Sequence, residues 1–151
     1  MRKLRLYLSG PMTGIPHFNR PLFRSVAESL RKEGHFVVNP TELDSVPEEG
    51  SSAFDAMLLW KSFIVRDVAV LMTSDFDAVA VLPGWMLSRG ARMEVTAAMM
   101  VGIKIVDALT LKRIFVTSIP MVDLEQEIAE EEWSVDQLKS VDWPGGEGYE
   151  K

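Results

Sequence analysis

Residues 82–94, LPGWMLSRGARME, gather the groups in this chain best suited to chemistry. An apolar run over residues 76–82 meets a Pro83-Gly84 turn, and a helix is predicted to start near Ser88. Backbone N–H groups and the positive end of the helix dipole converge at such a loop, which suits an anion such as a phosphate. Gly84 and Trp85 sit in the loop, and Ser88, Arg89 and Gly90 at the helix start. Six residues past Ser88, about a turn and a half into the helix, comes Glu94, the only acidic side chain between Asp77 and Asp107. Gly90 and Ala91 on one side and Ala97 and Ala98 on the other are small enough to leave room for a ligand above it. The stretch reads as the working end of a nucleotide site. Plainer roles compete: a lone Glu on a helix is ordinarily solvated or salt-bridged, Ser88 is a good N-cap, Arg89 an exposed cation and Trp85 a packing residue.

The elements that must hold these residues alternate in type. Residues 3–8 alternate charged and apolar side chains and then turn apolar, as a strand entering a core would. Ser9, Gly10, Pro11 and Met12 open a Gly/Pro-rich loop over residues 9–16. Asn19 reads as the N-cap of a first helix with Pro21 in its first turn, and Leu22, Phe23, Val26, Ala27 and Leu30 recur at helical spacing up to Gly34. A short buried strand follows at residues 35–38, ended by Asn39-Pro40, and then a polar surface loop over residues 41–52. Residues 53–72 keep helical spacing with at most one break; residues 76–82 read as the third strand, 88–101 as the third helix and 103–106 as the fourth strand.

This alternation implies a single α/β domain, a Rossmann-like or flavodoxin-like parallel sheet flanked by helices with right-handed crossovers. Ligands of such sheets bind beyond the carboxyl ends of the strands, so residues 9–18, ending at Phe18, then Asn39 and residues 83–89 line one rim, and Asn19 beside it is also a candidate for binding. Past residue 106 the pattern weakens. Residues 114–116 suit an added strand, residues 121–139 an acidic helix, and residues 140–151 a flexible tail, so the domain is drawn over residues 1–139.

With 151 residues, 47% hydrophobic and 25% charged, the composition is that of a globular protein. No apolar run reaches the roughly 18 residues of a membrane span, and Met1-Arg2-Lys3 passes straight into a strand, so a cytoplasmic protein is expected. No Cys and only two His argue against disulfides, zinc-thiolate clusters and His-rich metal sites, and neither metal nor cofactor is expected. The formal charge of −6 disfavours nucleic-acid polymers. A mononucleotide needs only one helix N-terminus and one or two cations. Met93, Met99, Met100 and Val101 offer more apolar surface than the sheet covers, and at least a homodimer is expected.

Tyr7-Leu-Ser-Gly-Pro-Met-Thr-Gly-Ile-Pro16, Phe18-Asn19, Val38-Asn39-Pro40, Arg66-Asp67, Asp77, Leu82-Pro-Gly-Trp85, Ser88-Arg-Gly-Ala91 and Glu94 run in one order over about residues 4–107. In this they resemble a small phage and bacterial family within the nucleoside 2-deoxyribosyltransferase-like superfamily. The resemblance implies cleavage of the N-glycosidic bond of (deoxy)nucleosides or their monophosphates, in the host cytoplasm for a phage gene. It implies that Glu94 attacks the anomeric carbon to form a covalent glycosyl-enzyme, resolved by a free base in the transferases and by water in the hydrolases. In the monophosphate hydrolases of the group, a Ser six residues before the nucleophile helps to bind the 5′-phosphate. Ser88 stands there, where nucleoside transferases tend to carry an acidic residue. A monophosphate is therefore the expected substrate. The resemblance further implies that Asp67 acts near the leaving base, that Tyr7 orients the nucleophile, and that sites lie near subunit contacts in dimers or larger assemblies.

That chemistry is sound on elementary grounds. Breaking a glycosidic bond through an oxocarbenium-like transition state needs a carboxylate to trap the cation and a protonated group to help the base leave. Glu94 and Asp67 suit the two roles if their surroundings separate their pKa values. Asp67 equally suits a pair with Arg66, Tyr7 suits packing, Asp77 a turn and His17 a plain loop. Two other functions compete. One is a phosphoribohydrolase of the lysine-decarboxylase-like group, whose Pro-Gly-Gly-x-Gly-Thr loop and following Glu resemble Pro83-Gly84 and Glu94, although Trp85 replaces the second Gly and the Gly-Thr pair is missing. The other is a nucleotide-binding module that senses its ligand without turnover.

Overall fold

The computed structural model describes residues 2–43 and 53–119, the first five of the second range as helix backbone only. The expected acidic helix at residues 121–139, the tail at 140–151 and most of the loop at 41–52 lie outside the described residues.

Strands β1 (Arg5–Ser9), β2 (Phe36–Val38), β3 (Ala78–Val81) and β4 (Lys104–Asp107) form one parallel sheet in the order β2-β1-β3-β4. Helices α1 (Arg20–Lys32), α2 (Ala53–Thr73) and α3 (Arg89–Met100) connect them in turn. The step from β1 to β2 runs one way across the sheet and the next two steps run the other way. Right-handed crossovers therefore put α1 on one face and α2 and α3 on the opposite face. The alternation of side chains along the strands agrees. Leu6, Leu8, Ala78, Ala80 and Val106 meet Phe23, Val26, Ala27 and Leu30 of α1. Tyr7, Val79, Val81 and Ile105 meet Leu71 of α2 and Ala91, Val95 and Ala98 of α3 in a second core. This is the expected α/β fold in flavodoxin-like strand order, and its topological switch point lies between the carboxyl ends of β1 and β3. No helix among the described residues is long and apolar enough to cross a membrane.

The structure corrects several local expectations. β3 is shorter than residues 76–82: Phe76 packs edge-on against Tyr7 with ring centroids 5.7 Å apart. Asp77 makes no turn but accepts the Arg5 N–H at 2.8 Å and pairs with Arg2 at 2.7 Å, tying the start of β3 to β1. α2 runs unbroken. Residues 114–116 do not form a strand. One antiparallel bridge joins Arg113 to Val106, and the Ile114 N–H reaches the Ile105 carbonyl. Ile114, Val116 and Ile119 pack on the second core instead, so their apolar character serves burial and not strand pairing. Asn19 does not cap α1 through its side chain. Its backbone is left-handed with φ 57°, and its amide donates to the Pro11 carbonyl at 2.9 Å. His17 and Phe18 precede it in the same left-handed region, with φ 54° and 53°.

Candidate active site

Ala91, Glu94, Val95 and Ala98 recur at helical period along the buried face of α3, so Glu94 occupies what would otherwise be a core position. It is 5% exposed and faces the end of β1. There the Ser9 hydroxyl donates to Glu94 Oε1 at 3.2 Å. Glu94 Oε2 and the Tyr7 hydroxyl are both buried without a well-aligned hydrogen bond, yet the two side chains lie close enough to act on each other's protonation. Burial pushes the Glu94 carboxyl up to about 8; the Tyr7 hydroxyl pulls it back, the charge of Asp67 raises it, and Ser9 and Arg66 lower it. The Tyr7 phenol is pushed far above its ordinary value, first by burial and then by the charges of Glu94 and Asp67. Tyr7 is thus a neutral donor that also belongs to the second core.

α2 brings in Asp67, which is 7% exposed. Arg66 Nε and Nη2 both donate to Asp67 Oδ1, at 2.9 and 2.6 Å. The guanidinium also lies over the Phe63 ring, 5.1 Å from its centroid. The pairing of Asp67 with Arg66 is therefore present, inside a cluster that includes Tyr7, Ser9 and Glu94.

Two loops close over this end of the sheet. A Cβ on Gly10 would stand 2.7 Å from Leu82 Cβ, so only glycine lets the first loop run this close to the end of β3. Gly84 is left-handed with φ 78°, and a Cβ on it would lie 3.7 Å from Pro11 Cγ, which places the two loops against one another. Met12 packs on the first core, Phe18 is exposed, and Trp85 is buried in the second core, so packing is part of its role. Ser88 caps α3, its Oγ accepting the Ala91 N–H at 3.2 Å. Arg89 is exposed in the first turn.

Some expected site residues have structural duties. A Cβ on Gly90 would meet Ile64 Cδ1 at 3.1 Å, so this glycine lets α3 approach α2. Ala91 and Ala98 are buried in the core, which corrects the expectation that they leave open space above Glu94. Asn39 Oδ1 accepts the Thr41 N–H and hydroxyl at 3.0 and 2.8 Å, capping the turn after β2. His17 lines a groove of about 420 Å³ along α1 with Arg20, Arg24 and Glu28, and none of Tyr7, Ser9, Asp67 and Glu94 lines it. One contributor escaped the sequence reading. Arg92 is nearly buried, and its Nη1 donates to the Met86 carbonyl at 2.8 Å, holding the loop before α3. No pattern announces it, since an Arg two residues from Glu94 reads as a solvated face.

Among the described residues no three His, Cys, Asp or Glu side chains converge in a way that could hold a metal ion. The constellation is one buried carboxyl with an unbonded oxygen, a neutral phenol, a hydroxyl and a carboxylate–guanidinium pair. No curated protein matches the chain. A family model described as a domain of unknown function, DUF4406, matches residues 4–107, a span that takes in all four strands and every member of this cluster, and the chain belongs to that family.

Proposed function

We propose that the protein cleaves the N-glycosidic bond of a (deoxy)nucleoside 5′-monophosphate with Glu94 as nucleophile. The observation that carries this reading is the Glu94 carboxyl itself, buried at the switch point, held through Oε1 by Ser9, with Oε2 buried and without a hydrogen bond. A carboxyl kept for structure has its oxygens satisfied; one kept for chemistry holds an oxygen in reserve. In the reaction Oε2 bonds to C1′ while the C1′–N bond breaks and its electron pair leaves with the base, which takes up a proton from solvent. Water then adds to C1′, gives up a proton and releases the carboxylate. A second base in place of water would make the same intermediate serve a transferase.

Support for a monophosphate comes from the start of α3. The Ser88 oxygen accepts the Ala91 N–H, which leaves its own hydroxyl proton for a phosphate oxygen at the positive end of the helix dipole, with Arg89 the next residue along the chain. The test is base release from a panel of ribo- and deoxyribonucleosides and their monophosphates, followed by chromatography with and without an acceptor base. Release from a monophosphate, abolished by Glu94→Gln, is the expected result. Tight nucleotide binding without release, unaffected by Glu94→Gln, would mark a sensing module.

We also infer that the working form is at least a homodimer acting on a small nucleotide. Leu58, Val65 and Met72 are exposed at seven-residue intervals on α2, and Met93, Met99, Met100 and Val101 are exposed on and after α3. Apolar surface arranged along neighbouring helices supports docking of a second copy.

A further inference from the structure

We propose that Arg66 is a positioning residue of this site, holding Asp67 as an acceptor-only carboxylate that takes a hydrogen bond from an N–H or O–H of the substrate and does not deliver a proton to the departing base. The inference rests on the glycosidic reading above and assigns Asp67 a role opposite to that of a general acid. Two N–H groups of one guanidinium converge on Oδ1, the shorter contact being 2.6 Å. Such charge-assisted bonds are strong, and they stabilise the anion, not the acid. The guanidinium is itself held: Phe63, one turn earlier on α2, lies beneath it. Asp67 is nearly buried and Arg66 partly so, and solvent screens the pair only in part.

The arrangement also explains how two carboxyl groups share one small site. Glu94 is faced by Tyr7 and Ser9 from β1 and by Arg66 and Asp67 from α2, and the two charges from α2 act on it in opposite senses. Arg66 offsets Asp67. Ionised Glu94 can then form beside a second carboxylate when the reaction calls for it.

The experiment follows the carboxyl-carbon NMR titration of Glu94 in the folded full chain for wild type, Arg66→Met, Arg66→Lys and Asp67→Asn. No substrate is needed. Arg66→Met is expected to move the titration to higher pH by roughly half a unit or more, Arg66→Lys to fall between it and wild type, and Asp67→Asn to move it lower. A titration unmoved in both Arg66 variants overturns the role of Arg66. Should Arg66→Met fail to fold, Arg66→Lys and Asp67→Asn carry the same comparison. In base-release kinetics Asp67→Asn is expected to raise KM about tenfold with kcat kept within about threefold. A fall in kcat of about a thousandfold at unchanged KM overturns recognition in favour of proton delivery. If wild type releases no base from any substrate, the glycosidic reading fails and recognition by Asp67 fails with it, whereas an unmoved titration removes the part played by Arg66 alone.

Discussion

In the proposed reaction Glu94 must lose its proton before it can attack, and its burial sets where on the pH scale that happens. With the carboxyl pushed up to about 8, kcat/KM for base release is expected to climb with pH, about tenfold per unit below that value, and to level off above it. A flat profile from pH 6 to 8 would show that ionisation of Glu94 does not limit the reaction. The same shift has a consequence for stability. In the unfolded chain the carboxyl ionises near its ordinary value of 4.5, so between 4.5 and about 8 the folded state holds a proton that the unfolded state has lost. Folding stability is therefore lost as pH rises through this window, by at most about 1.4 kcal/mol per unit from this group. Glu94→Gln removes the effect. Its melting temperature relative to wild type is expected to increase from pH 5 to pH 8, and a constant difference would show that the carboxyl is less sheltered than the fold implies. At this scale Glu94 was legible in the sequence because it is an isolated acid in an apolar, small-residue stretch. Asp67 was legible only as one of two alternatives, and the structure pairs it with Arg66 while setting its charge near Glu94. Arg66 and Arg92 were not legible as positioning groups, since which way a long cationic side chain bends depends on neighbours from other elements.

Among the elements, the start of α3 is the most informative to perturb, because the proposed function asks one hydroxyl to do two things there. Ser88→Ala removes a bond to the Ala91 N–H and is expected to lower stability by about 1 kcal/mol. If the same residue holds phosphate, the preference in kcat/KM for a monophosphate over its nucleoside is expected to shrink by about tenfold. Loss of stability with the preference intact would leave Ser88 a cap only. The elements themselves were readable from the chain. Helix burial with period 3.6 is strong where one face meets a core, as in α1 and α3, whereas β1, covered on both faces, reads as a short apolar run. The reading failed where tertiary contacts override local preference. Residues 114–116 have strand composition but meet β4 through a single bridge. Asn19 has the residue type of a cap, but its amide is drawn to Pro11 by the loop.

For the whole molecule, the strand order could be narrowed by the chirality of crossovers, and the alternation of strands and helices already carried that constraint. Whether copies of the chain assemble could not be read so directly. Leu58, Val65 and Met72 are exposed on α2, and Met93 and Met100 on α3. Light scattering at micromolar concentration is expected to give at least twice the 16.9 kDa of one chain, and charged substitutions at Val65 and Met100 should return it to the monomer mass. A monomer in the unmodified protein would refute the assembly without touching the reaction.

The turn from His17 to Asn19 carries a consequence of another kind. Three successive L-residues adopt a handedness that suits their mirror images, each at a cost of roughly 1 kcal/mol. Nothing in their own covalent chemistry asks for it, so the shape of this turn is borrowed from the surrounding fold. An excised peptide of residues 9–20 is expected to lose it, with three-bond couplings that report negative φ at all three positions. In the intact protein, total synthesis with D-residues at His17 and Phe18 should be tolerated or even stabilising, whereas the same inversion at Phe23, inside right-handed α1, should abolish folding. Chirality at this connection is thus a property conferred by the assembled domain on its residues, not by the residues on the domain.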